Sequence, residues 1–252
     1  MSASTFRGLN PTMLEIELRR VLRNKRTAIF TLIMPVVLFE LFGNSDGAST
    51  EKAGDGNVTA YILISMAVYG AMLAATAAGA SVSLERAAGW SRQLRLTPLA
   101  PAAYITAKVL SALAISATSV AVVYLVGTTS DARMPTSTWV QTALIAWVCS
   151  MVFAAFGLFM GYLLPSENVM QALGPGLALM SFAGGLFIPL SQYNDVFRAI
   201  AKVTPVYGVG ELARYPLVHD GRLLGAVLNV VVWTLVFGVG ASMRFRRDTA
   251  RV

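Results

Sequence analysis

The sequence contains few residues that could carry out covalent chemistry. His219 is the sole histidine and stands beside Asp220, and Cys149 is the sole cysteine. A Ser–His pair for nucleophilic catalysis could in principle form at His219, but a surface histidine near the start of a helix is the favoured interpretation. The sequence has no Cys/His cluster with the spacing of a metal site and no G-x-x-x-x-G-K-[ST] loop for nucleotide phosphates. We therefore predict no catalytic residue and no metal or cofactor bound by this chain.

A charged stretch between two apolar segments is the most informative feature. It runs from Glu85 to Pro98, which is long enough for about two to three helical turns, ended by the proline. A plain linker needs neither a tryptophan nor mixed charge, so we predict a short helix that a soluble partner contacts. The predicted contact residues are Glu85, Arg86, Gly89, Trp90, Arg92, Gln93, Leu94 and Arg95. A helix that anchors in lipid headgroups is the alternative interpretation.

Glu40 is an acidic residue well inside an apolar run. A charge at the centre of a bilayer costs about 2.5–3.5 kcal/mol on insertion scales, and less near an interface. Two interpretations stay open: Glu40 reaches water at the outer end of its span, or it faces a cleft between protomers and meets cationic substrates. Candidates to line the same cleft are Phe39, Met180 and Phe182.

The composition indicates that a membrane protein carries these residues. Of the 252 residues, 56% are apolar and 13% are charged, whereas soluble domains contain about 25% charged residues. At about 20 apolar residues per spanning helix, the length allows six or seven spans and no sizeable soluble domain. The cations cluster where apolar stretches end, which is typical of anchors at an anionic lipid surface and not of nucleic-acid binding.

We predict an all-α membrane protein with six transmembrane helices. The predicted spans are 27–42, 58–83, 104–126, 139–164, 169–190 and 223–243. Residues 1–26 form a cytoplasmic N-terminus with an amphipathic helix over 12–26 on the membrane surface, a solvated charged lead-in being the alternative. Residues 27–243 form the transmembrane domain, and residues 244–252 form a basic cytoplasmic tail.

The distribution of Lys and Arg predicts that both ends of the chain lie in the cytoplasm. The N-terminal segment, the loop 84–103 and the tail carry most of these cations. Residues 191–222 are the discordant stretch, since they fall on the outer side and contain Arg198, Lys202, Arg214 and Arg222. Their number and their apolar residues indicate a structured outer cap or a re-entrant helix pair.

Glycines and a proline mark candidate hinges in the fifth predicted span. The residues concerned are Gly174, Pro175, Gly176, Gly184 and Gly185. A proline removes a backbone hydrogen bond inside a span and permits bending. Ordinary close packing is an equal alternative for any one of the glycines.

The run from Glu85 to Pro98, followed by Tyr104 and Lys108, resembles the inner loop of the ABC-2 type permeases, the membrane subunits of type V ATP-binding-cassette exporters. The C-terminal part is similar to the same family over residues 184–190 and then at Thr204, Pro205, Tyr207, Glu211 and Arg214. The resemblance covers nearly the whole chain and is closest to the daunorubicin-permease-like, multidrug-resistance branch. The acidic residue often found soon after the Glu-Arg pair is replaced here by alanines.

The resemblance implies a non-enzymatic permease subunit that works with a second permease, identical or homologous. Two copies of a separate ATPase subunit would bind ATP and Mg²⁺. Residues 12–26 would be a connecting helix, the loop 85–98 a coupling helix in a groove of the ATPase, and the segment after the fifth span a pair of short outer helices.

The implied activity is export of an amphipathic or hydrophobic drug or lipid-like compound across a bacterial inner membrane. A permease for lipid-linked glycans or polysaccharides is the alternative. An ATP-independent secondary transporter or channel is the rival from another class, and it would need intramembrane groups that coordinate ions or relay protons.

Overall fold

The computed structural model of the protein describes Arg19 and residues 29–45, 47–89, 101–220 and 223–250. This part of the chain is mostly helical and begins with a π-helical turn, Ile29–Ile33. The α-helices are α1 (Met34–Gly43), α2 (Val58–Ala80), α3 (Val82–Ala87), α4 (Pro101–Gly127), α5 (Thr136–Cys149), α6 (Met151–Leu163), α7 (Ser166–Ala183), α8 (Asp195–Val203), α9 (Pro205–Val218) and α10 (Leu223–Ala250). A small antiparallel hairpin of β1 (Lys52–Ala53) and β2 (Gly56–Asn57) connects α1 to α2, where the sequence predicted a loop.

Among the described residues, four helical stretches are long and apolar enough to cross a bilayer. They are Val58–Ala87, Tyr104–Gly127, Thr136–Leu163 and Leu223–Phe245, and they correspond to the second, third, fourth and sixth predicted spans. The prediction of a helical protein with membrane-spanning segments is thereby confirmed. The first predicted span is the shorter apolar helix Ile29–Gly43, and the fifth is α7. The count of six spans and the cytoplasmic placement of both ends stay predictions.

Helix α2 lies at the centre of the bundle, where it packs against α1, α4, α6 and α9. In the most apolar window of Val58–Ala87, 83% of the residues are buried, whereas the figure for Leu223–Phe245 is 11%. The last stretch therefore turns most of its apolar side chains outward, as contact with hydrocarbon requires.

Small residues allow α2 and α6 to approach each other closely. A Cβ atom at Gly157 would lie 2.3 Å from the carbonyl oxygen of Thr76, and one at Gly79 would lie 2.6 Å from that of Ala154. Neither side chain could be accommodated without separating the helices, so the contact depends on these glycines.

The structure revises several helix boundaries. The fourth predicted span, 139–164, is divided between α5 and α6, which meet at Ser150. The fifth, predicted to reach residue 190, ends at Ala183 because Gly185 adopts a left-handed φ of +78°. Helix α10 continues to Ala250, through most of the predicted tail. Residues 191–222, whose positive charges did not fit the predicted topology, contain the two short helices α8 and α9. This agrees with the predicted helix pair. Its location on the outer side stays a prediction.

Candidate functional site at the base of a charged loop

The structure describes the beginning of the predicted coupling loop. Helix α3 follows α2 after a turn at Ser81, ends with the cap residue Ala88 and is followed by Gly89, whose φ is +75°. Such a conformation suits glycine and directs the chain away from the helix. Trp90, Arg92, Gln93, Leu94 and Arg95 lie outside the described residues, as does the amphipathic helix predicted over 12–26, Arg19 excepted.

Glu85, in the first turn of α3, lies inside the protein and not on an exposed surface. Its carboxylate forms an ion pair with the Lys108 ammonium group and accepts a hydrogen bond from the Tyr104 hydroxyl. Tyr104 and Lys108 are four residues apart on α4, so both reach the same carboxylate from one helix face. All three residues are buried. The two unit charges therefore compensate each other away from solvent.

Arg86, the next residue, is held by α6. Its Nη1 donates to the carbonyl oxygens of Gly161 and Tyr162, at 3.1 and 3.2 Å, and its guanidinium carbon lies 5.6 Å from the centre of the Tyr162 ring. Both carbonyls belong to the last turn of α6, where backbone acceptors lack intrahelical donors and the helix dipole favours a cation.

The end of α10 completes this cluster. The Phe245 ring stacks on Tyr104, with centroids 6.5 Å apart, and meets Tyr162 edge-on at 5.7 Å. We call Glu85, Arg86, Tyr104, Lys108, Tyr162 and Phe245 the loop base. Four helices, α3, α4, α6 and α10, thus meet at the beginning of the charged loop.

A second buried charge lies on α9. Arg214 donates from Nη1 to Ser65 Oγ and to the carbonyl of Gly185, at 3.2 and 3.0 Å, and from Nη2 to Glu211 at 3.3 Å. Its guanidinium carbon also lies 4.8 Å from the centre of the Tyr61 ring. We call these five residues the arginine cluster. It connects α9 to α2 and to the residues that follow α7.

The structure shows how two of the arginines in residues 191–222, which the predicted topology places on the outer side, are used within the protein. Arg214 is buried, and Arg198 donates to the carbonyls of Leu190 and Tyr193, at 3.2 and 2.9 Å. Both side chains are used in internal hydrogen bonds, so a simple count of cations overstates the charge that this segment offers to water or lipid.

The residues predicted to line a substrate path have different environments. Phe39 is fully buried, and its ring lies where a Cβ atom at Gly43 would be 2.8 Å away. Glu40 is exposed and accepts a hydrogen bond from Asn44 at 2.8 Å. Phe182 is 48% exposed, although its ring packs on Phe187, and Met180 is half-buried. Phe39 is thus enclosed by its own chain, whereas Glu40 and Phe182 are open to a partner or a ligand.

The candidate hinge residues also differ from one another. Helix α7 passes through Pro175, and a Cβ atom at Gly174 or Gly176 would meet no atom within 4 Å. A Cβ atom at Gly184, in contrast, would lie 2.6 Å from the Val206 side chain. Close packing within the chain thus explains Gly184, and it does not explain the glycines beside Pro175.

His219 lies between two helices, as the C-terminal cap of α9 and four residues before α10 begins at Leu223. It adopts a left-handed conformation with a φ of 53°, and its Nε2 is 2.8 Å from Asp55 Oδ2. Both side chains are more than half exposed, so this is a surface contact between a histidine and an aspartate and not a Ser–His arrangement. Across the described residues, no group of three or more His, Cys, Asp or Glu side chains is arranged to hold a metal ion.

Among the described residues, the helical bundle and its four long apolar stretches are typical of a membrane protein. The chain belongs to the ABC-2 type transporter family, whose model matches residues 11–218. It is 28% identical over 238 residues to the "Putative transport permease YvfS" of Bacillus subtilis (strain 168), a match that covers 94% of this chain and 96% of that protein. The resemblance found in the sequence is confirmed at the level of the family, which consists of permeases that require an ATPase partner.

Sequence reasoning found part of the loop base and missed the rest. It identified Glu85 and Arg86 and noted Tyr104 and Lys108, whose spacing of four residues on a helix was the available signal. Tyr162 and Phe245 carried no comparable signal, because each is an aromatic residue near the end of an apolar helix.

Proposed function

We propose that this chain is the membrane-spanning permease subunit of an ATP-driven exporter, and that a separate ATPase binds the loop 85–98. The observation that supports the proposal is the loop base. The first two residues of the loop, Glu85 and Arg86, are bonded to α4 and α6. In this proposal, a movement imposed on the loop reaches the bundle through these two residues.

The buried ion pair suits this role because it is costly to open. Separating Glu85 from Lys108 would leave two charges in a poorly solvated site. The loop is therefore expected to move as one unit with α3 and α4 and not to detach from them. In this proposal Glu85 acts from inside the bundle, while Trp90 and the arginines after it contact the ATPase.

The complete exporter would contain two permeases, identical or homologous, and two ATPase subunits that bind ATP and Mg²⁺. Each permease would cross a bacterial inner membrane six times with both ends in the cytoplasm. We propose an amphipathic or hydrophobic drug or lipid-like substrate, as in the daunorubicin-permease-like branch, so that the activity would be drug efflux. In this proposal Glu40, which is exposed near the end of α1, meets a cationic group of such a compound. Export of a lipid-linked glycan is the alternative.

Co-expression with the ABC ATPase from a neighbouring reading frame tests the proposal. The tagged permease should retain the ATPase during purification, and vesicles containing both proteins should export an amphipathic dye only when ATP is supplied. Transport by the purified permease alone would contradict the proposal and favour a secondary transporter or channel.

Arg86→Ala tests the role of the loop base. The variant loses both bonds to α6, so we expect the ratio of dye exported to ATP hydrolysed to fall by roughly 2- to 30-fold, with normal membrane insertion. Arg198→Ala is a matched control, because Arg198 also donates to two backbone carbonyls but lies outside the loop base. An equal fall in both variants would show that the loop base has no special part in coupling.

A further inference from the structure

Helix α8 has one polar and one apolar face. Asp195, Arg198 and Lys202 recur at intervals of three and four residues, so they form a single polar stripe along the helix. The side chains on the opposite face are apolar and 51–68% exposed, and we call them the apolar face of α8: Val196, Phe197, Ile200 and Val203. An exposed apolar surface of this kind indicates contact with a partner protein or with lipid.

The C-terminal end of α8 is held by side chains of α10. Asn229 Nδ2 donates to the carbonyl oxygens of Lys202 and Thr204, at 3.0 and 3.1 Å. Trp233 Nε1 donates to the carbonyl oxygen of Val203 at 2.8 Å. Backbone acceptors in the last turn of a helix lack intrahelical donors. Two side chains, four residues apart on α10, thus provide donors to three consecutive carbonyls at the corner between α8 and α9.

Gly208, on α9, allows α10 to come close enough for these hydrogen bonds. A Cβ atom at Gly208 would lie 2.5 Å from Asn229 Oδ1 and 2.8 Å from the carbonyl oxygen of Ala226. The Trp233 ring also stacks on Phe237 of its own helix, with centroids 5.0 Å apart. The corner between α8 and α9 is therefore held at a defined position along α10.

That position lies within a stretch of α10 that is able to cross a bilayer. Leu223–Phe245 contains 23 residues, which is about 34 Å of helix, close to the roughly 30 Å thickness of the hydrocarbon core. Asn229 and Trp233 lie about 9 and 15 Å from the beginning of this stretch. Leu228 and Val232, which precede the two donors in the sequence, are 54% and 52% exposed. The surface beside the corner is therefore apolar on α10 as well as on α8.

We infer that α8 is inserted into the hydrocarbon of the bilayer, where its apolar face contacts lipid acyl chains. Backbone groups at the end of a helix at this depth have to be satisfied by neighbouring helices, and Asn229 and Trp233 satisfy them. On the polar stripe, Arg198 donates within the chain, and the long stem of Lys202 allows its ammonium group to reach the lipid headgroups. The inference goes beyond the proposed function and requires neither an ATPase nor a substrate.

Spin labels on the purified full-length chain, reconstituted in phosphatidylcholine vesicles, test the inference. Val196→Cys and Ile200→Cys are labelled in a Cys149→Ala background, because Cys149 is the sole cysteine. Oxygen dissolves in hydrocarbon, whereas the nickel complex NiEDDA is polar and is excluded from it. The ratio of oxygen to nickel accessibility should be about tenfold higher than for Glu51→Cys, an exposed position just before β1. It should match the ratio for Val239→Cys, which is 56% exposed on α10.

Two other results of this measurement would overturn the inference. A ratio at positions 196 and 200 as low as the ratio at position 51 would mean that the apolar face of α8 lies in water. Low accessibility to both oxygen and nickel would mean that a protein, such as a second copy of this chain, covers the face.

Trp233→Phe tests how the position of α8 is maintained. The variant keeps an aromatic ring but removes the donor to the Val203 carbonyl. Since an unsatisfied carbonyl is costly in hydrocarbon, the oxygen-to-nickel ratio of the label at Ile200 should fall by about threefold or more. Trp147→Phe is the matched control, because Trp147 Nε1 also donates to a backbone carbonyl, that of Leu113, at 2.8 Å. This variant should leave the ratio unchanged.

Equal ratios in the two tryptophan variants would overturn the role assigned to α10. Asn229→Ala removes the other two hydrogen bonds and should lower the ratio in the same way, which keeps the test available if Trp233→Phe does not yield folded protein. The two proposals fail separately. Loss of ATPase co-purification rejects the proposed function and leaves the spin-label measurement unaffected, whereas an apolar face in water rejects only the insertion of α8.

Discussion

The loop base and the arginine cluster both contain buried charges, but they compensate them differently. At the loop base, Glu85 and Lys108 neutralise each other, and their side chains are 7% and 1% exposed. In the arginine cluster, the charge of Arg214 is shared among a carbonyl, a hydroxyl, an aromatic ring and Glu211, whose side chain is 24% exposed. The loop base thus contains two opposite buried charges in direct contact, whereas in the arginine cluster one buried charge is distributed over several partners.

This difference predicts how much stability each site loses when one of its residues is substituted. Removal of one member of a buried ion pair leaves the other charge without compensation, and this residual charge accounts for most of the cost. Removal of one of several acceptors around an arginine leaves the remaining acceptors in place. The loop base should therefore respond in an all-or-none manner, whereas the arginine cluster should respond gradually.

The largest effect is expected for Lys108→Met. The variant leaves the Glu85 carboxylate buried without its cation, so the free energy of unfolding should fall by about 3–5 kcal/mol. Denaturation of the purified protein by SDS in mixed micelles measures this change.

The double variant Glu85→Gln/Lys108→Met shows whether the charge itself is responsible. With both charges removed, most of the lost stability should return, since neutral side chains of similar volume often replace buried ion pairs without net cost. If the double variant were as unstable as Lys108→Met, packing and not charge would govern the loop base.

A smaller effect is expected for Arg214→Met. The variant removes charge-assisted hydrogen bonds to Ser65, Gly185 and Glu211, and the free energy of unfolding should fall by about 1.5–3 kcal/mol. Arg214→Lys keeps the charge but not the planar guanidinium, so it should lie between the wild type and Arg214→Met in the same SDS titration. A lysine variant as stable as the wild type would mean that charge alone holds this cluster.

The smallest effect is expected for Glu211→Gln. The pair is 3.3 Å long and partly exposed, and Arg214 keeps its other acceptors, so the free energy of unfolding should change by less than about 1 kcal/mol. Glu85→Gln in the same titration should cost several times more. Equal losses for the two glutamates would remove the distinction between the sites.

The sequence predicted the helices well where the signal was local. The predicted spans 58–83 and 104–126 agree closely with the apolar stretches Val58–Ala87 and Tyr104–Gly127, because hydropathy is a property of consecutive residues. The fifth span was predicted to reach residue 190. Its earlier end at Ala183 reflects the conformation of Gly185, whose carbonyl accepts from Arg214 of α9.

The sequence predicted the candidate site only in part, because some of its contacts join residues that are far apart in the chain. The mixed charge and the tryptophan of the loop indicated a contact surface. This prediction needed only residues that are close together in the sequence. The inward orientation of Glu85 depends on Lys108, which is 23 residues away beyond the loop. Similarly, the hydroxyl of Ser119 donates a hydrogen bond to the carbonyl of Thr31, which is 88 residues away, and no periodicity in the sequence indicates that contact.

The sequence by itself determined that this chain is an apolar helical protein of the ABC-2 type transporter family with one distinctive charged loop, because composition, hydropathy and motifs are read along the chain. Only the tertiary structure decided that Lys108 neutralises Glu85 inside the bundle and that Arg214 is enclosed by a hydroxyl, a carbonyl, an aromatic ring and Glu211. A buried charge has to be compensated by groups that are close to it in three dimensions. The residue that satisfies it is chosen by helix packing and not by proximity in sequence.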